Sequence, residues 1–188
     1  MIPYQKEKIE NAILFFTKEH YKKTKKYLSQ TFLYKYLAFL DFTSLKEIGQ
    51  PALNLTYLAF DRGPVPEEIY NIRKNYQTSL FKFVDIGDNR IQIIPKQKAK
   101  PDLDFFSPYE IKLMEKLIEI YASSYVDTNM ISDCSHKEIL AWKRTYEKNK
   151  NGLIDYSHTF KEDVYNKEES LLTVQEENFK TYDAVTKT

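Results

Sequence analysis

A chain of 188 residues with a formal charge of +1 is long enough to bury about two-thirds of its unfolded surface, so one domain can stand on its own core without disulfide or metal staples. The 15 Tyr and 12 Phe set against 4 Gly predict a core of large rings, little flexible loop and many hydroxyls in need of partners. A lone cysteine, Cys134, a polar MIPYQKEKIE start and apolar runs far short of the ~20 residues of a membrane span argue for a cytoplasmic protein without membrane contact.

Ile9, Ile13 and Phe16 recur at helical spacing and predict an amphipathic first helix that ends near His20. The basic cluster HYKKTKKYL follows. It has neither Arg nor Gly, and the nine lysines of residues 1–50 are interleaved with five carboxylates, which weakens any phosphate-binding field. A solvated helix face is expected, and nucleic acid is not an expected partner. The second helix, through Leu28, Phe32, Leu33, Tyr36, Leu37 and Leu40, is apolar around so much of its circumference that it should be central to the core. Gly49 and Pro51 supply its stop.

The period then changes. LTYLAF, LFKFVDI and RIQII are short, aromatic or branched and bounded by turn formers, so they read as strands, the last two joined through GDN as a hairpin. Between the first strand and the hairpin lies DRGPVPEEIY, residues 61–70. Gly63 permits a turn that other residues resist, Pro64 and Pro66 fix φ, and Pro66 suits a first helical position with Glu67 and Glu68 against the helix dipole. Prolines lack the N–H groups of an anion nest, so this stretch reads as a rigid corner.

Ser107, Pro108 and Glu110 mark a helix start with a capping box before YEIKLMEKLIEIY. A short helix around TNMISDC follows. Ser135 and Glu138 repeat the capping-box spacing before ILAWKRTYEK, and predict another helix start there. The fold class is therefore α+β: a mostly helical single domain with a small antiparallel β-sheet in the middle of the chain. Beyond Asn151 apolar residues thin out and eight carboxylates outnumber five lysines over residues 149–188. A segment of that kind cannot order itself unaided, and is expected to dock on the domain or order on a partner.

Motifs for chemistry are missing. His20, His136 and His158 lie far apart, outside metal-ligand spacings, and Cys134 beside His136 lacks the geometry of a nucleophile and its base. No Gly-rich phosphate loop or nucleophile elbow occurs. No cofactor and no metal is expected.

The order of three motifs resembles the Panacea-domain family, the SocA-like antitoxins also found in phage-associated proteins of the GepA type. They are YLAFLDFTSLKEIGQPALNLTYLAFDRGPVPEEIY at residues 36–70, FSPYEIKLMEKLIEIY at 106–121 and SHKEILAWKRTYE at 135–147. The chain departs from the pattern at Arg62, where many relatives place an aromatic before the Gly-Pro. The resemblance implies a domain over residues 1–158, followed by an acidic polar tail over 159–188. It also implies a non-enzymatic antitoxin that binds and neutralises a cognate protein toxin, usually encoded beside it. The alternative it implies is an adaptor that delivers a toxin to an AAA+ protease, or a phage-associated host-interaction protein, with the tail serving the second partner. Partner contact is expected at Asp61, Arg62, Gly63, Pro64, Val65, Pro66, Glu67 and His136, with Arg62 the foremost. Trp142 is expected in the core.

Overall fold

The first helix, α1 (Gln5–Thr24), runs past His20 because the lysines that follow occupy its last, exposed turn, where cations favour the helix C-terminus. The computed structural model describes residues 4–186, so the first three residues of the expected domain and the last two of the expected tail lie outside the described residues. Leu28 and Ser29 form a two-residue strand, β1, rather than the start of the next helix. Ser29 is instead the N-cap of α2 (Gln30–Ile48), its side chain accepting from the Phe32 N–H. Gly49 closes the helix at φ +80.

Helix α2 is the hub that the sequence predicts. It packs against α1, against α4 (Pro108–Tyr121), α5 (Thr128–Glu138) and α7 (Val174–Thr186), and against the strand at Gly63–Pro66. Phe16 and Tyr36 stack with ring centroids 4.8 Å apart, and Phe39 stacks on Tyr121 at 4.9 Å. His20 is buried beside Phe32 and Tyr36, and burial pulls its pKa down to about 4. Three polar residues of α2 are also buried: Lys35, Asp41 and Ser44.

Asp41 organises the chain that follows the helix. Its carboxylate accepts from the N–H groups of Leu53, Asn54 and Leu55 and from the Tyr57 hydroxyl, at 2.5 to 3.2 Å. Burial pushes its pKa up to about 6 while these donors pull it back. The Tyr156 hydroxyl, 3.3 Å from the same carboxylate, gives its single proton to the Leu55 carbonyl at 2.6 Å.

The expected antiparallel pairing forms as two small sheets. In one, β1 pairs with β5 (Ile91–Pro95), which pairs with β4 (Phe81–Asp85); the β4–β5 turn uses left-handed Gly87, Asp88 and Asn89. In the other, β2 (Tyr57–Phe60) pairs with β3 (Gly63–Pro66). The corner is thus a hairpin strand as well as a turn. Pro66 is the N-cap of α3 (Glu67–Ile72) and not its first residue.

Helix α4 starts as predicted, with the full capping box of Ser107 and Glu110, and Lys8 adds an ion pair to Glu110 at 2.7 Å. The second predicted box does not form. Asp127 caps α5, whose interior holds Ser135 fully buried, its hydroxyl donating to the Ser132 carbonyl. The chain bends at Ile139 and resumes as α6 (Leu140–Lys148).

The C-terminal segment is folded onto the domain. Phe160, Val164 and Phe179 are buried, and α7 rests on the end of α2, where Gln175 and Asn178 donate to the Glu47 and Ile48 carbonyls. Thr173 and Glu176 form a capping box at the start of α7. No helix among the described residues is long and apolar enough to cross a membrane.

Candidate partner-binding surface

The β2–β3 hairpin turns through two exposed residues, Asp61 and Arg62, between the paired Phe60 and Gly63. Gly63 is required there on two counts. Its φ is +96, and a Cβ would sit 2.4 Å from the Ser135 hydroxyl and 2.9 Å from the Lys35 ammonium. A side chain here would strain the backbone and push Ser135 and Lys35 aside.

The prolines fit because of strand parity. The Glu67 N–H reaches the Thr56 carbonyl at 2.9 Å, so odd-numbered residues of β3 direct their N–H groups at β2 and the even positions face away. Pro64 and Pro66 occupy those even positions, where the missing donors cost no ladder bond. The Pro64 carbonyl, facing the same way, accepts from the Lys35 ammonium at 3.1 Å.

On its other edge β2 is tied to the segment after α6: Ala59 exchanges bonds with Gly152 and Asn151, and Ile154 donates to Tyr57. Trp142 on α6 donates its indole N–H to the Phe60 carbonyl at 3.0 Å. It is buried, as predicted. Its ring is also the middle of a stack: His136 lies parallel to it with centroids 4.1 Å apart, and Tyr146 on the other side at 4.9 Å. The Tyr146 hydroxyl donates to Asp61 at 2.6 Å, which fixes the hairpin tip to α6.

These residues define one face. A groove of 620 Å³ runs along the edge of the stack, lined by His136, Trp142, Tyr146, Asp133, Lys137 and Lys143 among others. A second concavity, 360 Å³, adjoins the tip and is lined by Tyr34, Lys35, Asp61 and Arg62 among others. Burial, and then the Lys35 cation, hold the His136 ring below the ordinary imidazole range. Its Nε2 is buried without a hydrogen-bond partner.

Of the residues expected at the interface, Asp61 and Arg62 are exposed, Glu67 and His136 half-buried, and Gly63, Pro64, Val65 and Pro66 buried. Val65 lines the concavity below the tip, while Gly63, Pro64 and Pro66 act by shaping the hairpin against α2 and α5. Tyr146 was not singled out from the sequence, although its spacing of four from Trp142 on one helix is the signal for such a pair. His136 and Cys134 diverge: the first lines the aromatic groove, the second a different concavity between α2 and α4.

The family model for the antitoxin SocA-like Panacea domain matches residues 33–143. The chain belongs to this family. The match begins on α2 beside Lys35, takes in the whole hairpin tip and ends next to Trp142, so most of the face lies within it. Tyr146 and the C-terminal segment lie outside. No curated protein and no solved structure matches the chain. A larger concavity, 690 Å³ between the start of α1 and α3, draws five of its eleven lining residues from residues 4–9, which precede the Panacea match.

Proposed function

We propose that this protein is a non-enzymatic antitoxin of the cytoplasm that neutralises a protein toxin by direct contact through the face built from the Asp61–Arg62 tip and the His136–Trp142–Tyr146 stack. The observation that carries the reading is the Panacea match over residues 33–143. The face supports it physically. Aromatic rings and an exposed arginine are the groups most often found at the energetic centre of protein interfaces. The rings are held in place before any partner arrives, since Trp142 is fixed to Phe60 and Tyr146 to Asp61, and preorganised groups lose little entropy on binding. Neutralisation then requires only that the face cover the toxin's working surface.

Inducing the reading frame adjacent to this gene, alone and together with it, tests the proposal. Arrested growth that co-expression restores supports it, with an unchanged toxin level pointing to occlusion and a falling level to degradation. A harmless neighbour, or an arrest that co-expression leaves in place, overturns it.

A further inference from the structure

Lys35 is 1% exposed, yet among the described residues no carboxylate lies within ion-pair distance of it. An ammonium carries three N–H donors, and the hydrogen bond to the Pro64 carbonyl occupies one of them. A buried cation left in this condition costs stability, and replacing such a group by an apolar one of similar volume is commonly neutral or stabilising. Helix α2 shows the contrast within one element, since Asp41 is surrounded by donors.

The groups that face Lys35 leave its charge uncompensated. Arg62 at the hairpin tip and His136 on α5 add positive or potentially positive charge, and Tyr34 on α2 is neutral. Asp61, the one acid among the described residues that line the same pocket, is held by Tyr146. Arg62 is exposed and makes no hydrogen bond or ion pair among the described residues. Lys35 and Arg62 thus border a 360 Å³ pocket whose rim adds the polar side chains of Gln30, Thr31 and Asn151.

We propose that this pocket receives a carboxylate side chain of the protein partner, clamped between the Lys35 ammonium at its base and the Arg62 guanidinium at its mouth. The proposal rests on the partner being a protein, as read above. A guanidinium presents two parallel donors to a carboxylate, and an ammonium supplies a third from a different direction. Asp61 on the rim disfavours a dianion, and the prolines of β3 leave no run of backbone N–H groups such as phosphate sites use. Burial, then Arg62, draw the Lys35 pKa down to about 7. A bound carboxylate reverses that balance, so binding above neutral pH takes up a proton.

The pocket is tested first without any toxin. The full chain, with Lys35 followed by side-chain ¹⁵N NMR, is titrated with N-acetyl-glutamate α-amide, with the glutamine analogue, and with inorganic phosphate at matched ionic strength. The glutamate probe is expected to move the Lys35 resonance and raise its titration midpoint, an effect absent with glutamine and in Lys35→Met and Arg62→Gln. No movement, or a larger effect from phosphate, overturns the proposal. Calorimetry with the toxin identified by the growth experiment is the second arm. Lys35→Met should bind about ten to a hundred times more weakly while melting no lower than wild type, and net proton uptake above neutral pH should vanish in the variant. Wild-type affinity in Lys35→Met overturns the clamp. A toxin that never binds the wild-type chain removes the antitoxin reading instead, and leaves the pocket to the NMR result.

Discussion

Lys35 and Asp41 lie six residues apart on α2, both sealed from solvent, and do not pair with each other. Asp41 spends its charge on the backbone of residues 53–55 and on Tyr57. Lys35 reaches one carbonyl, on the strand behind the hairpin tip. One buried charge builds the fold, and the other weakens it beside the face proposed to meet a partner.

Asp41→Asn keeps the shape of the side chain but turns an amide NH₂ toward backbone donors. Leaving those donors unmatched in the interior should cost about 2 to 4 kcal/mol, read as a lower urea midpoint with an unchanged slope.

Lys35 gives the protein a stability that depends on pH in a defined direction. Its pKa is about 7 when folded against 10.5 as a free side chain, so between those values the unfolded chain holds more protons. Stability from this group is therefore least below pH 7 and rises as pH climbs toward 10.5. Arg62, Asp61, His136 and Tyr34 face the ammonium. His136, held below the ordinary imidazole range, and Tyr34, raised by burial, both stay neutral through most of this window. Denaturation profiles of wild type and Lys35→Met should differ most at pH 6 to 7, with the variant the more stable, and converge toward pH 10.

Gly63→Ala places a methyl group against Ser135 and Lys35 at a left-handed backbone position. The Ser135 and Lys35 side chains must turn aside and the backbone strain remains, at a cost of about 1 to 3 kcal/mol. The melting temperature and partner binding should fall together. Lost binding at an unchanged melting temperature would instead put Gly63 in direct contact with the partner.

Gly49→Ala acts on the other end of α2. The added Cβ would lie 2.3 Å from the Gln175 carbonyl and 2.6 Å from the Asn178 side chain, again at positive φ. Helix α7 should come away from the domain, with a loss of about 1 to 2 kcal/mol. Limited proteolysis should then cut within residues 165–180 at a rate the wild type does not show.

Features that depend on neighbours in sequence were readable before the structure. The capping box at Ser107 is one, because its partner is three residues away; the all-round apolar surface of α2 is another. Ser135 shows where local reading fails. It has Glu138 at capping-box spacing, but Asp127 had already started the helix, and the residue that fixes the Ser135 environment is Gly63. The prolines of β3 suggest a corner until pairing with β2 reveals that they sit at positions that donate nothing. Phe160, Val164 and Phe179 are too sparse to show a period; Phe179 lies on α7, which packs on α2 more than a hundred residues earlier in the chain, and Phe160 packs on Phe179. The Thr173–Glu176 capping box was present in the sequence as the local sign of that last helix.

If the hairpin tip is where this protein meets its toxin, Arg62→Glu should disable the contact. Arg62 is an exposed turn side chain without a bond to the rest of the described chain, so reversing its charge should leave the melting temperature within about a degree or two of wild type, as surface substitutions do. Calorimetric titration with the toxin should show affinity at least about tenfold weaker, since a like charge now faces the partner's carboxylate. Wild-type affinity in Arg62→Glu would instead place the interface off this face.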